Sequence, residues 1–544
     1  MHKSILFISL IFFAGSLWDC ANQTTPMGGP KDTIPPVLIK SIPAHKQKNY
    51  SGKSIELIFN EYIVAFNPKD EILISPAIGK DIEFQVKKNT MVITPQNDWQ
   101  ENTTYTISIR EGIKDITENN PPENLRIAFS TGNTIDSLAI IGTLSMALKE
   151  TIPDKITVAV YEADTFDIFQ HTPSYFTISN KKGQFSLENL KQGNYQLYAF
   201  DDKNKNLKVE SRTEKFGFLS KTVIPDQNKD SLQIRLVNLD TRAPKLNSMR
   251  NNGLYTRLSF NKYLDKYDIK FADTKGVIHS YGSDQTEIVI YNPSGIKDSV
   301  AFQLHGIDSV QQLVDTTLYI KNIEPSFIPE DYAIKSGKLK YKIKENTLTQ
   351  SFQLSKPLAS IIYDSLFIQA DSAFTLPITP ADFTYDSIHK TLNLSKHIPY
   401  DTLFKNPDFT KRGLILNKAS FISIENDSSK ASSTPVPQVK PEQTGTLLVK
   451  VETQNEYFIV QLLSTTGEII EEVKNVKEHS FLYLAPQNYK IRIVLDVNNN
   501  GRWDAGNIFN NEEPEPIVLY KTAENKYEVP IRANWELGPL LLKF

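Results

Sequence analysis

A single cysteine in 544 residues leaves no intrachain disulfide framework and no cysteine-based metal site. The eight histidines are scattered, and no two have H-x-x-x-H spacing, which removes the helix-borne zinc hydrolase pattern. There is no G-x-S-x-G elbow to expose a nucleophilic serine and no G-x-x-x-x-G-K-[ST] loop to cradle a phosphate. Basic charge is not in excess: 60 Lys and Arg stand against 63 Asp and Glu, for a net −3. A nucleic-acid partner, which needs a basic face, is therefore not expected. After residue 20 no apolar run is long enough for a membrane helix, and no long stretch keeps a 3.6-residue period.

What is present is strand chemistry. Phe (29) and Tyr (23) are plentiful, and 40% of the chain is hydrophobic. The length exceeds what one core sustains, so several domains are expected. From Val37 onward, short apolar alternations are broken by Asn, Asp, Gly and Pro, the spacing of all-β domains. Ile55, Leu57 and Phe59 fall on one face of a half-buried strand, and Met91–Thr94, Asn102–Ile109 and Ile127–Thr131 read as further strands.

The one cysteine has a place at the N-terminus. His2 and Lys3 precede an apolar stretch, Ser4 to Gly15, too short to span a bilayer comfortably. Leu17-Trp18-Asp19-Cys20 follows and resembles a bacterial lipobox, with Trp18 and Asp19 where small residues are usual. The resemblance implies a signal peptide over 1–19 and an acylated Cys20, whose two or three chains anchor stably. No run of acidic residues follows Cys20, and the outer membrane is the expected, lipid-anchored address. Residues 20–34 then form a Pro/Gly/Thr-rich tether.

The order Ile34-Pro-Pro36, Leu57-Ile-Phe-Asn-Glu-Tyr-Ile63, Asn102-Thr-Thr-Tyr-Thr106, Gly112-Ile-Lys-Asp115 and Phe129-Ser-Thr131 resembles the bacterial Ig-like domain of surface-layer proteins. It implies a seven-stranded sandwich over 35–132, with Tyr105 as a tyrosine-corner residue. Residues 137–239 contain Phe185 to Phe200 with an L-x-x-G-x-Y turn, similar to transthyretin-like sandwiches, which would put Tyr195 in a core. Gly445-Thr-Leu447 echoes Gly142-Thr-Leu144, and Asn488 to Asn500 aligns without gaps on Asn194 to Asn206, so 444–544 reads as a second copy. Tyr255 to Leu264 echoes the first domain through Phe260-Asn-Lys-Tyr263, giving a degenerate Ig-like copy over 240–328. Residues 329–425 are a β domain of open fold, with Ser351 to Leu358 a candidate for another copy, and 426–443 is a linker by its Ser and Pro content. The fold class expected is all-β: tandem Ig-like and transthyretin-like β-sandwich domains behind a lipoprotein signal peptide. Cys20-Ala-Asn, Gly28-Gly-Pro-Lys-Asp32, Asp496 to Asp504 and Arg532-Ala-Asn-Trp535 together resemble a family of Ig-like lipoproteins from Bacteroidota. That resemblance speaks to fold and location more than to activity.

One pattern points to a ligand. Asp496, Asn498, Asn500, the backbone carbonyl of Arg502, and Asp504, with Gly501 for the sharp turn, are spaced as oxygen donors around a hard cation such as calcium. Asp202, Asn204, Asn206 and Glu210 stand at matching offsets in the earlier copy, with Leu207 in place of the glycine. Asn507 and Thr213 occupy the twelfth position, so neither loop is an EF-hand. The competing reading is a polar hairpin loop in which Asp and Asn bond their own backbone. Trp99, Trp503 and Trp535 are candidates for stacking on sugars, against structural roles for each. Carboxylate pairs such as Glu56 with Glu61, or Asp201 with Asp202, do not rise above chance among 63 acids, and His305 and His479 read as strand-edge residues. No catalytic residue and no cofactor other than calcium is expected. Three functions stay open: a non-catalytic scaffold that binds an envelope protein, a glycan-binding surface lipoprotein, and a hydrolase with an unrecognised site in the middle region, 240–425.

Overall fold

The computed structural model describes residues 33–544 except 80, 124, 152–153, 163–165, 211–213, 226, 252–253, 272–276, 293–298, 322, 324–330, 407–408 and 438–439. The expected signal peptide over 1–19 and Cys20 lie outside the described residues. Two compact units form: the described residues up to 139 with 174–177 and 187–192, and the remainder. The first is built from antiparallel sheets and the second from antiparallel and mixed ones, with only isolated turns of helix in either.

In the first unit, one sheet runs in the order Leu38–Ile42, Ile55–Phe59, Thr90–Pro95, Ile82–Lys87. A second runs Ile72–Ser75, Thr104–Ile109, Leu125–Ser130, and Ile63–Ala65 pairs with Ile113–Asp115 in a small third. The expected alternation holds: Ile55, Leu57 and Phe59 are fully buried, and they meet Met91, Ile93, Tyr105, Ile107 and Phe129 in one core. Each such side chain contributes roughly 1.5–3 kcal/mol. The Tyr105 hydroxyl accepts the backbone N–H of Gln100 at 3.0 Å, five residues upstream, which is the tyrosine corner expected.

Three of the sandwiches share one structural device. Asn60 Oδ1 accepts the N–H of Val37 at 2.7 Å, and Asn261 Oδ1 accepts that of Lys245 at 2.8 Å. In the middle region, Ser355 Oγ accepts that of Ala333 at 2.9 Å. Each cap follows the last core residue of a strand (Phe59, Phe260, Leu354) and ties down the start of its own sandwich. The next residue is Glu61 in the first, but a buried lysine in the other two. Lys262 pairs with Asp308 at 2.6 Å, with the two side chains only 3% and 0% exposed. Lys356 pairs with Glu425 at 2.6 Å and Asp427 at 2.5 Å. Residues 329–425 therefore carry the same arrangement, with a core of Leu348, Phe352, Leu366, Ile368, Leu392 and Leu414 among others.

The linker reading of 426–443 is corrected. Asp427 is a salt-bridge partner of Lys356, Ser432–Pro435 pairs with Gly413–Leu416, and Val436 is buried in the core. The Ser/Thr/Pro composition looks like a linker, but a strand at a sheet edge can carry it, because an edge needs hydrogen bonds on one side only.

The two sandwiches expected to be copies, over 137–239 and 444–544, agree in topology. Leu138–Met146 pairs in parallel with Lys229–Leu236, as Gly445–Glu452 does with Glu536–Lys543. Thr157–Glu162 pairs antiparallel with Tyr195–Phe200, as Phe458–Ser464 does with Asn488–Leu495. The echoed glycines have a reason: a Cβ on Gly142 would lie 2.4 Å from the Leu232 carbonyl oxygen, and one on Gly445 would lie 2.4 Å from that of Arg532. Only glycine lets these backbones approach. Tyr195 is 2% exposed, as expected.

Replacing Lys262 with Met leaves Asp308 charged, buried and without its cation. We expect a loss of about 3–5 kcal/mol, from the cost of an uncompensated buried charge. Hydrogen exchange in Tyr255–Phe260 and Ser299–Ile307 measures it, and unchanged protection there would mean the pair is energetically idle.

Candidate functional site

The two Asp/Asn loops fold alike. After Leu495, Asp496 Oδ1 accepts the N–H of Asn500 at 2.9 Å, and Oδ2 that of Gly501 at 2.8 Å. In the earlier copy, Asp202 accepts the N–H groups of Asn206 at 3.0 Å and Leu207 at 2.9 Å. Asn498 Oδ1 accepts from Asn500 N at 3.1 Å, as Asn204 Oδ1 does from Asn206 N at 3.1 Å. The Nδ2 groups of Asn498 and Asn500 donate to Asp504 Oδ2 at 2.6 and 2.5 Å. Those of Asn204 and Asn206 donate to Glu210 Oε1, both at 3.0 Å. Leu207 stands where Gly501 does and takes the same left-handed backbone, φ 59° against 76°. The missing glycine therefore costs strain without changing the turn.

Sequence reasoning missed one member of each loop. Glu515 accepts the N–H groups of Val497 at 2.8 Å and Asp504 at 3.0 Å through its two oxygens. Glu214 accepts those of Lys203 at 3.0 Å and Glu210 at 2.8 Å. Both glutamates are buried, 5% and 1% exposed. Burial raises each carboxyl above the usual carboxylate range, and the neighbouring acids add to it: Asp504 and Asp496 for Glu515, Asp202 and Glu210 for Glu214. The gap-free alignment could not pair them, because the later loop is seven residues longer before its glutamate.

The carboxylates that would ligate a cation are thus engaged by amide donors. Arg502 gives its N–H to Asn500 Oδ1 at 3.0 Å, and its guanidinium Nε lies 3.4 Å from Asp504 Oδ1. Among the described residues no group of three or more His, Cys, Asp or Glu side chains is disposed to hold a metal. A half-turn of the Asn498 and Asn500 amides would present carbonyl oxygens instead, an exchange that only a bound cation would favour.

The added residues of the later loop reach other sandwiches. Asn507 Nδ2 donates to the carbonyl of Val310 at 2.9 Å, and Asn511 Nδ2 to that of Ser220 at 2.8 Å. Glu513 accepts from Ser220 N at 2.9 Å and Oγ at 2.8 Å, and pairs with Arg235 at 3.3 Å. Lys490 pairs with Glu150 at 2.7 Å.

The remaining candidates have structural partners. Trp99 packs on Tyr105 and Phe129 in the first core. Trp503 Nε1 donates to the Glu515 carbonyl at 3.0 Å, bracing the loop. Trp535 is 53% exposed, with Arg532 over its ring at 4.6 Å. His305 faces Asp315 at 3.1 Å, and His479 faces Glu471 at 3.0 Å. Among the described residues no helix is long and apolar enough to cross a membrane.

A family described as a bacterial Ig-like domain matches residues 32–131, and the structure there is the sandwich that family implies. No curated protein matches the chain. Among solved structures, the chain is similar to domains 1–6 of the surface layer protein SbsC, at 9% identity over 91% of this chain and 68% of that one, with a TM-score of 0.17. It is similar to BcpA, the major pilin subunit of Bacillus cereus, at 8% identity over 75% and 99%, with a TM-score of 0.12. It is also similar to the human desmocollin-1 ectodomain, at 10% identity over 93% and 98%, with a TM-score of 0.15. At such TM-scores these likenesses carry no argument.

The raised carboxyls give a pH test. A Glu whose folded pKa lies above its unfolded value adds stability that is full below the unfolded value, about 4.3, and lost as pH rises through the folded one. Amide protection at Val497 and Asp504, corrected for intrinsic exchange, should therefore fall as pH rises from 4 through that raised value. Glu515→Gln should flatten this dependence while weakening one of the two N–H contacts. A slope that survives the substitution would assign it elsewhere.

Proposed function

We propose that the chain is a cell-envelope lipoprotein, held at the outer membrane by acylated Cys20, and that its sandwiches act as a non-catalytic scaffold offering binding surfaces to another envelope protein. The observation that carries this reading is the set of contacts made by the 505–515 segment. It fixes the last sandwich against Ser220, Arg235 and Val310, hundreds of residues earlier in the chain. Sandwiches fastened to one another in this way present their exposed sheet edges in a constant arrangement, which suits a scaffold. The Ig-like match at 32–131 supports a structural role, and the Bacteroidota lipoprotein resemblance supports the anchor.

Calcium remains a proposed occupant of the 496–504 loop, and less so of 202–210, on the spacing of the oxygen-bearing side chains Asp496, Asn498, Asn500 and Asp504. Calcium should raise the melting temperature and a chelator should reverse the rise. If neither moves it, the loops are hydrogen-bonded turns.

Crosslinking in intact cells followed by affinity isolation tests the scaffold reading. One abundant envelope protein should accompany the chain, and recovery of the chain alone would count against it. Cys20→Ala should shift the protein from the membrane to the soluble fraction; retention in the membrane would sink the anchor. The double variant Asn507→Ala with Glu513→Ala should enlarge the radius of gyration in solution scattering, and an unaltered profile would show that these contacts do not hold the sandwiches together.

A further inference from the structure

We propose that Lys356 and Asp427 become joined by an isopeptide bond that the chain forms by itself, with Glu425 as the proton carrier. This goes beyond the scaffold reading and does not depend on it. The result is a covalent tie within one sandwich of a chain that has no disulfide to use.

The three side chains are brought together by backbone on both sides. Lys356 stands two residues after Leu354, the last core residue of the strand Thr347–Leu354. Glu425 and Asp427 stand on the turn that follows Phe421–Ser423. The Ile424 N–H bonds the Pro357 carbonyl at 3.1 Å, and the Ser423 N–H bonds the Asp427 carbonyl at 2.9 Å. The turn is thus clamped to itself and to the residue after the lysine. Asn426, in the left-handed region at φ 64°, turns the chain between the two acids. Lys356 Nζ then lies 2.6 Å from Glu425 Oε2 and 2.5 Å from Asp427 Oδ2. The Ser423 hydroxyl also donates to Asp427 Oδ2, at 3.2 Å. The Asp427 carboxyl carbon is one C–O bond beyond Oδ2, close to the roughly 3–3.5 Å separation from which attack proceeds.

In water such a pair stays ionic, because solvent stabilises both charges. Here the lysine side chain is only 7% exposed. Burial works against its ammonium, but the bonds to Asp427 and Glu425 outweigh this and hold the Lys356 pKa above its ordinary value. The free amine therefore arises by proton transfer inside the cluster, not by exchange with solvent. Glu425 is placed to receive that proton through Oε2, and its Oε1 is buried with no hydrogen-bond partner among the described residues. Nζ gives one proton to Glu425 and attacks the Asp427 carboxyl carbon. The N–C bond forms and one C–O bond breaks. The departing oxygen leaves as water, taking the proton held by Glu425 and a second from Nζ. Ammonium and carboxylate become amide and water, Glu425 returns to its starting state, and no further reactant is needed. Asp427 is 35% exposed, which gives the water a way out.

The neighbouring sandwich supplies an internal comparison. Lys262 and Asp308 are more deeply buried and lie 2.6 Å apart. The other bonds of Lys262 Nζ go to the backbone carbonyls of Asp240 and Arg242, and Asp308 Oδ1 accepts the N–H groups of Val310 and Gln312. A carbonyl does not carry a proton from one group to the next as a carboxylate does. That pair is therefore expected to remain ionic, although it is close and dry.

The test is mass spectrometry of the full chain, unfolded and then digested with proteases. We expect the segments holding Lys356 and Asp427 to appear as one linked species, lighter than their sum by one water, and those holding Lys262 and Asp308 to appear separately. Lys356→Arg keeps the positive charge and should abolish the deficit. Glu425→Gln keeps both reacting groups and should also abolish it. Amide protection across Leu358–Ile361 and Phe421–Ser423 checks that each variant has folded. Separate Lys356 and Asp427 segments from the folded parent would overturn the proposal. A deficit that persists in Lys356→Arg, or a link that forms in folded Glu425→Gln as it does in the parent, would overturn it as well.

Discussion

The arrangement of the second unit depends on how carboxylates are satisfied inside one polar loop. Asp496, Asp504 and Glu515 converge at the end of a core strand, and each oxygen contact described goes to an amide or guanidinium N–H. Asp496 and Glu515 are its buried members, and they are stable only when paired, because an unpaired acceptor in low dielectric is costly. Pairing them makes the loop rigid. A rigid loop can then carry the extra residues 505–511 outward and hold Asn507 and Asn511 against other sandwiches. The earlier copy has the same network around Asp202, Glu210 and Glu214 but not the added residues, so it makes the turn without the reach.

A second device recurs at the start of three sandwiches, where Asn60, Asn261 or Ser355 caps an incoming backbone N–H. In two of them the following residue is a lysine whose charge is buried against carboxylates, Lys262 with Asp308 and Lys356 with Glu425 and Asp427. Buried pairs of this kind add little net stability, since desolvation offsets attraction. They do punish every arrangement that separates them, and that fixes the register of the strands they join. The second pair also leaves the buried Oε1 of Glu425 without a hydrogen-bond partner among the described residues.

Much of the fold was legible in sequence because strand period and turn chemistry are local. Ile55, Leu57 and Phe59 alternate into a core, Tyr105 pins its corner, and Gly142 and Gly445 mark the same close backbone approach in two copies. The segment 426–443 misled for an equally local reason: Ser, Thr and Pro suit a linker and an edge strand alike, and only the pairing of Ser432–Pro435 with Gly413–Leu416 separates them. Of the loop residues, those at fixed short offsets were found, whereas Glu515 and Glu214 were not. They return from across the loop at different distances along the chain, and nothing local links them to the turn they complete.

Sequence by itself determined the all-β class, the sandwich repeats, the turn-forming Asp and Asn positions and the place of the sole cysteine, because each rests on residues near one another in the chain. Tertiary structure alone decided that the last sandwich fastens back onto Ser220, Arg235 and Val310, and that residues 329–425 repeat the capping device. Those features join groups tens to hundreds of residues apart. Their energies come from burial and from charges brought within a few ångströms, quantities that exist only once the chain has closed on itself.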